Sequence, residues 1–183
     1  MRIIIFETMR NSSTNIFLIA LWITSSVNFC FAQPDLEVMR QLIFEKTNVL
    51  RVEKGLPEFI QLDSLMHLAQ LHSENMVNHD FYAHINHLGR NPVERAEKFK
   101  VKAWVRKGNR FTSIAENIAQ TPWFENVRGC GDTRTEEDLV QCMVTGWKKS
   151  QPHYKNILGD YIHLGVGLYF DDNGIAFGTQ NFR

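Results

Sequence analysis

The sequence has no excess of charge of either sign. Its 183 residues include 20 lysines and arginines and 20 aspartates and glutamates, and its basic residues do not alternate with aromatic ones. Proteins that bind nucleic acid or anionic membranes usually carry a basic surface. We therefore expect no nucleic acid partner and no attraction to an anionic membrane.

Internal repeats, low-complexity stretches and linkers rich in proline, glycine or serine are also lacking. A chain of this length is long enough for one domain with a substantial core and too short for two comfortable ones. The sequence therefore predicts one domain spanning residues 34–183.

Several common catalytic signatures are missing as well. The sequence has no Gly-x-Ser-x-Gly, no His-Glu-x-x-His, no glycine-rich phosphate loop and no Cys-x-x-Cys. The glycines of Gly165-Val-Gly167 lie inside an alternating, strand-like segment, so they indicate packing within a sheet and not a dinucleotide site. The chemistry of this chain must come from residues dispersed along it.

The N-terminal part has a composition of its own. The apolar run at residues 16–23 is shorter than the roughly 20 residues that span a bilayer. Small residues near Cys30-Phe31-Ala32 are typical of a cleavage site. We predict that residues 1–32 are a signal peptide, that the mature protein is secreted or extracellular, and that it has no stable membrane insertion. The alternatives are periplasmic retention, a membrane anchor, or a lipoprotein modified at Cys30, although Phe29 is bulky for that processing.

Only three cysteines are present, and two remain after the predicted cleavage, Cys130 and Cys142. In an oxidising compartment two such cysteines usually pair. Closing this short loop would stabilise the fold by up to about 3 kcal/mol. The alternative is two free thiols, or one thiol buried as a small apolar side chain.

Apolar periodicity predicts four helices. They span residues 35–54 and 63–78, begin at Asn91-Pro92, and span residues 136–149. Pro92 is favourable at the first helical position, and Asp63 is a suitable N-cap for the second helix.

Alternating segments predict strands at residues 112–120, 162–170 and 175–182. The last two flank Asn173-Gly174, a pair typical of a hairpin turn. Helices followed by mixed strands and helices indicate an α+β fold, an α-β-α sandwich of three layers with a central antiparallel sheet.

The dispersed chemistry falls into five ordered segments. They are Phe81-x-x-His84 with Gly89-x-x-Pro92-x-x-Arg95, Glu116-Asn117-Ile118, Trp147-x-x-Ser150-x-x-His153-x-x-Asn156-Ile-Leu158, Gly165-Val-Gly167, and Thr179-Gln-Asn-Phe182. In this order they resemble the CAP superfamily of cysteine-rich secretory, antigen 5 and pathogenesis-related 1 proteins, whose domain is also called SCP-like. The resemblance covers nearly the whole mature chain and is greatest to the short bacterial branch.

The resemblance implies that His84, Glu116 and His153 meet at the floor of an open cleft. Two imidazoles and a carboxylate are suitable ligands for zinc or another divalent metal ion. Larger eukaryotic relatives have a second glutamate where this chain has Ser150, so the site has one carboxylate fewer. The alternative is a structural cluster in which the same side chains hydrogen-bond one another, with Glu116 binding backbone amides around Asn117.

Three functions follow from these alternatives. The first is a secreted binding module whose cleft takes a small ligand, a lipid or an extracellular protein. The second is a metal-dependent extracellular hydrolase in which Glu116 is a metal ligand or general base. The third is a stable scaffold with an inactive cleft.

Other ring-bearing residues have simpler interpretations. His72 lies on the apolar face of the second helix and is predicted to be a core histidine, and Trp147 is predicted to lie in the core. His87 is predicted to occupy an exposed loop. Tyr82 and Tyr154 are candidates to line the cleft.

Overall fold

The computed structural model describes residues 34–183. The helices are α1 (Leu36–Val52), α2 (Asp63–Asn78), α3 (Pro92–Lys98), α4 (Glu136–Lys149) and α5 (Gln151–Ile157). The strands are β1 (Ile60–Gln61), β2 (Trp104–Lys107), β3 (Arg110–Ser113), β4 (Ala115–Pro122), β5 (His163–Phe170) and β6 (Ile175–Phe182). The predicted signal peptide, residues 1–32, lies outside the described residues. Within them, no helix is both long and apolar enough to cross a membrane.

The central sheet has the strand order β1-β5-β6-β4. Pairing is antiparallel between β5 and β6 and between β6 and β4, whereas the short β1 runs parallel to β5. The inward side chains of β5 share a core with α1 and α4 on one face of the sheet. Helix α2 covers the other face. The predicted α+β fold with helices on both faces of the sheet is confirmed.

Two glycines of β5 explain the Gly165-Val-Gly167 motif. A Cβ atom added at Gly165 would lie 2.1 Å from the carbonyl carbon of Leu65, and one at Gly167 would lie 2.2 Å from that of Ala69. Helix α2 therefore rests on the sheet at backbone contact. Any side chain at either glycine would have to displace the helix.

The predicted hairpin is confirmed by β5 and β6. Their turn at residues 171–174 is held by Asp171, whose Oδ1 accepts hydrogen bonds from the backbone N–H of Asn173 (3.0 Å) and of Ile175 (2.7 Å). Gly174 has a φ of +77°, in the left-handed region that glycine adopts without strain. The turn fixes the register of the last strand.

Two predicted boundaries were wrong. The strand predicted at residues 112–120 is interrupted at Ile114, whose N–H donates to the carbonyl of Ala103 (2.8 Å). The chain turns there because the Ile114 side chain packs into a small core beside Val101 and Ala103. Asp63 is the first residue of α2 and not its N-cap, a position taken by Leu62 without a side-chain cap.

The remaining local predictions agree better with the structure. Asn91 caps α3, and its side chain forms a reciprocal capping box with Glu94. The predicted disulfide joins Cys130 to Cys142 and ties the loop after β4 to α4. The sequence interpretation missed β1, the β2–β3 hairpin and α5, which are all short.

Candidate functional site

Glu116 of β4 is the centre of a buried polar cluster, and its side chain is only 1% exposed. Its Oε1 accepts a hydrogen bond from His84 Nδ1 (3.0 Å). Its Oε2 accepts bonds from Asn181 Nδ2 (3.0 Å) and from the guanidinium of Arg95. Both carboxylate oxygens are therefore engaged by neighbouring side chains.

The strand register places these groups together. Glu116 pairs with Asn181 across β4 and β6, so both side chains lie on the same face of the sheet. Two positions along β4, Ile118 packs on Met76 of α2, which identifies this face as the one covered by α2. Arg95 reaches the carboxylate from α3, and His84 reaches it from the preceding loop.

The charge of Glu116 is stabilised despite its burial. Burial alone would raise the pKa of this carboxyl group. The hydrogen bond from His84 and the charge of Arg95 outweigh burial and hold the pKa below its ordinary value. Glu116 is an ionised, fully paired carboxylate at neutral pH.

His84 connects this cluster to solvent. Its Nδ1 donates to Glu116, so Nε2 is the ring nitrogen left for another partner, and its side chain is 46% exposed. The guanidinium of Arg95 also donates to the backbone carbonyl of His84 (2.6 Å). Arg95 therefore fixes both the loop that carries His84 and the carboxylate that orients its ring.

His153 lies on α5, which a hydrogen bond from Asn156 Nδ2 to Asn117 Oδ1 (2.9 Å) ties to β4. Asn117 Nδ2 donates to the carbonyl of His153 (3.1 Å). Burial, with a smaller effect of the nearby His84, lowers the pKa of His153. Within residues 34–183 no direct hydrogen bond joins His153 to Glu116.

The donor set is only partly suited to a divalent metal ion. Glu116 is buried and both its oxygens are engaged, so it is placed to orient His84 and not to ligate a metal in the cleft. His84 Nε2 and His153 remain as suitable donors. In the described part of the chain no group of three or more His, Cys, Asp or Glu side chains has metal-site geometry. The three-residue metal site stays a prediction.

The sequence interpretation missed His72 as a neighbour of Glu116. As predicted, His72 is buried in the core, but its Nε2 lies 3.6 Å from Glu116 Oε1. That nitrogen donates to the carbonyl of Ala83 (3.1 Å), while Nδ1 has no partner among the described residues. Burial, its largest cause, lowers the pKa of His72 to about 4.

Two other partners of Glu116 were visible in the sequence without an assigned role. Arg95 ends the Gly-x-x-Pro-x-x-Arg segment, and Asn181 belongs to the closing Thr-Gln-Asn-Phe segment. Their presence in ordered segments was the available signal. Sequence spacing could not reveal that both converge on one carboxylate.

His87 does not join this cluster. It lies in an exposed loop, as predicted, where its Nδ1 hydrogen-bonds to Asn75 Oδ1 (2.6 Å) and its ring stacks on His79 with centroids 3.5 Å apart. These two imidazoles form a separate surface pair.

A groove of about 380 Å³ lies beside His153. Its walls are the residues 118–121 of β4, the α4 residues around Gly146, and the disulfide Cys130–Cys142. Tyr82 lines it, and its hydroxyl donates to the carbonyl of Ile118 (3.2 Å), whereas His84 and Glu116 are not among its lining residues. Tyr154 is not among its lining residues. Ser150 also lines the groove.

Several known proteins are similar to this chain in sequence or fold. The uncharacterized membrane protein YlbC of Bacillus subtilis is 30% identical over 141 residues, which is 76% of this chain and 33% of that protein. The chain thus spans about a third of the curated relative it matches. An extracellular protein of Bacillus anthracis with an SCP domain has a TM-score of 0.60 and 26% identity over 80% of this chain and 40% of its own.

An outer surface protein of Borrelia burgdorferi shares the fold with a TM-score of 0.62 and 15% identity, over 81% of this chain and 93% of its own. The model of the cysteine-rich secretory protein family, CAP, matches residues 44–182. That match includes every residue of the cluster around Glu116. The chain belongs to the CAP family of cysteine-rich secretory proteins.

Proposed function

We propose that this protein is an exported binding module that holds its ligand through the imidazoles of His84 and His153. The observation that supports this proposal best is the state of Glu116, which is buried with both oxygens engaged. A carboxylate in that state positions another group and does not itself attack or deprotonate a ligand. The exposed His84 Nε2 is the group that it presents.

A divalent metal ion such as zinc is part of this proposal. His84 Nε2 and His153 would hold it, and Glu116 would orient His84 from behind, as carboxylates commonly do for metal-bound histidines. When bound, the ion would supply a Lewis acid that attracts anionic or carbonyl-bearing ligands. Because the protein would supply only two ligands, we expect modest affinity for zinc; structural zinc sites usually have four protein ligands and catalytic sites three.

Calorimetric titration of the exported protein with zinc tests the proposal. We expect saturable binding that disappears in the His84→Ala/His153→Ala variant. The His79→Ala/His87→Ala variant is the matched control, because it removes two exposed imidazoles outside the cleft. Zinc binding that survives in the first variant and disappears in the control would overturn the proposed site.

A metal-dependent extracellular hydrolase is the second candidate. The observation in its favour is the Glu116–His84 hydrogen bond of 3.0 Å, since a carboxylate behind a metal-bound histidine is a common arrangement in catalytic metal sites. Hydrolysis of peptide or ester substrates should then be lost on chelation and in His84→Gln. Activity that resists both treatments would exclude this candidate.

We also propose an extracellular location, which the disulfide and the extracellular relative from Bacillus anthracis support. The relative from Bacillus subtilis is named a membrane protein, so an anchored form is the competing outcome. N-terminal sequencing of the exported protein distinguishes them. Cleavage after Ala32 supports release, whereas a retained N-terminus or a lipid on Cys30 indicates anchoring.

A further inference from the structure

The free edge of the central sheet runs along β4, on the side away from β6. Trp123 N–H donates to Gly174 carbonyl (2.8 Å) at the end of this ladder. Antiparallel pairs alternate between bonded and non-bonded residues, so the even-numbered residues of β4 direct their backbone N–H and C=O groups away from β6. The Glu116 carbonyl, which accepts from Asn156 Nδ2 (3.3 Å), agrees with this alternation.

Side chains already bind the outward carbonyls at both ends of this edge. The carbonyl of Ile118 accepts from Trp147 Nε1 (3.0 Å). Pro122 has no N–H, and its carbonyl accepts from Thr133 Oγ1 (2.5 Å). Between them, Gln120 has a backbone N–H and a C=O with no partner in residues 34–183.

Gln120 lines the groove, and the opposite wall is open. A Cβ atom added at Gly146 of α4 would meet nothing within 4 Å. The basic residues Arg128 and Lys149 line the groove, and among residues 34–183 no acidic residue lines it. The groove therefore combines an unpaired strand edge, apolar walls and positive charge.

We propose that this groove binds a short, acidic, extended peptide segment of a partner protein. The peptide would add to β4 by pairing its backbone with the N–H and C=O of Gln120, as in strand addition at an exposed sheet edge. Its carboxylates would lie near Arg128 and Lys149. This inference deepens the proposed binding role by naming a class of partner, and it rests on that role.

Nuclear magnetic resonance of the exported, ¹⁵N-labelled protein tests the inference. The probe is the hexapeptide acetyl-Val-Glu-Val-Glu-Val-Glu-amide, with the Val-Lys counterpart as the charge control. We expect the Gln120 amide proton to exchange about tenfold more slowly when the acidic peptide is bound, and the basic peptide to bind at least about tenfold more weakly. Acidic peptide that does not bind, or that binds without protecting Gln120, would overturn the proposal.

The Gly146→Leu variant blocks the groove without weakening the fold, because leucine favours a helix interior over glycine by about 0.5–1 kcal/mol. We expect it to lose peptide binding and to melt no lower than the parent protein. Gln141→Leu is the matched control, since Gln141 lies exposed on α4 and does not line the groove. Equal peptide binding by the parent and by Gly146→Leu would contradict the inference.

All peptide measurements are made in EDTA, which removes zinc. A negative peptide result therefore contradicts the peptide proposal alone and does not bear on zinc binding at His84 and His153. Sodium laurate serves as the lipid probe under the same conditions. If laurate fills the groove and competes with the peptide while the Gln120 amide stays unprotected, the groove is an acyl site and the peptide proposal is wrong.

Discussion

Glu116 and Asn117 are neighbours on β4, yet they face two different polar networks. Glu116 is an ionised carboxylate among Arg95, His84 and His72 on the side of α2. Asn117 faces the other helices and belongs to a network of neutral amides, in which its side chain bonds to Gln180 (3.0 Å) and Asn156 (2.9 Å).

The difference shows how one strand can serve two purposes. The charged network is sensitive to pH and to loss of any single partner, because an uncompensated buried charge is costly. The neutral network holds α5 and the last strand together at all ordinary pH values. The charged side presents His84 to solvent, while the neutral side provides the fixed support.

Loss of Arg95 should have the largest effect. In Arg95→Met, Glu116 keeps its burial and loses its cationic partner, so we expect a loss of about 3–5 kcal/mol in the free energy of unfolding. Urea denaturation at pH 7 measures it. Lys98→Met, an exposed change on the same helix, should cost under about 0.5 kcal/mol. A loss in Arg95→Met no larger than in Lys98→Met would show that Glu116 is not ionised.

Acid should weaken the charged network through His72. The pKa of His72 is about 4 in the folded protein, lowered from its ordinary value of 6.5. Below pH 6.5 the unfolded chain therefore binds a proton at His72 that the folded protein does not bind. The contribution of neutral His72 to stability is fully present above pH 6.5. As the pH approaches 4, the free energy of unfolding falls by up to about 3 kcal/mol. Denaturation at a series of pH values measures this slope. In His72→Gln the slope should be shallower, and an unchanged slope would assign the effect elsewhere.

Breaking the neutral network should cost less and should not depend on pH. Asn117→Ala leaves Gln180 and Asn156 without one hydrogen-bond partner each, so we expect the free energy of unfolding to fall by about 1–3 kcal/mol. The difference from the parent protein should be the same at pH 5 and pH 7. A difference that changes between these two pH values would mean that the two networks are coupled.

The smallest effect is expected at His84. Its side chain is nearly half exposed, so His84→Ala removes one charge-assisted hydrogen bond at the edge of the cluster. We expect a loss of about 1–2 kcal/mol in unfolding free energy with complete loss of zinc binding. Loss of stability without any change in ligand binding would instead support the inactive scaffold.

Local patterns predicted most of the fold because they depend on neighbouring residues. The apolar spacing on α2 and α4, the Asn91-Pro92 start of α3 and the Asn173-Gly174 turn each lie within a few residues of the element they specify. The break at Ile114 could not be predicted in this way, since it depends on packing against Val101 and Ala103.

The site was predicted less completely, for a related physical reason. Family resemblance identified Glu116 and His84, which the structure places in contact. The apolar spacing of α2 predicted that His72 is buried, but it gave no information about the residues that lie beside it. The pairing of Arg95 with Glu116 joins α3 to a strand 21 residues later, and only the folded arrangement reveals it.

The backbone contact between α2 and the glycines of β5 has a consequence for genetic screens. Substitutions at Gly165 or Gly167 would push α2 outward and carry His72 away from Glu116, although neither glycine touches the cleft. A mutational scan that scores function would rank both positions with His84, and a map of such scores would extend the apparent site across the sheet. Thermal stability recorded beside function at each position would separate these two glycines from the residues that meet a ligand.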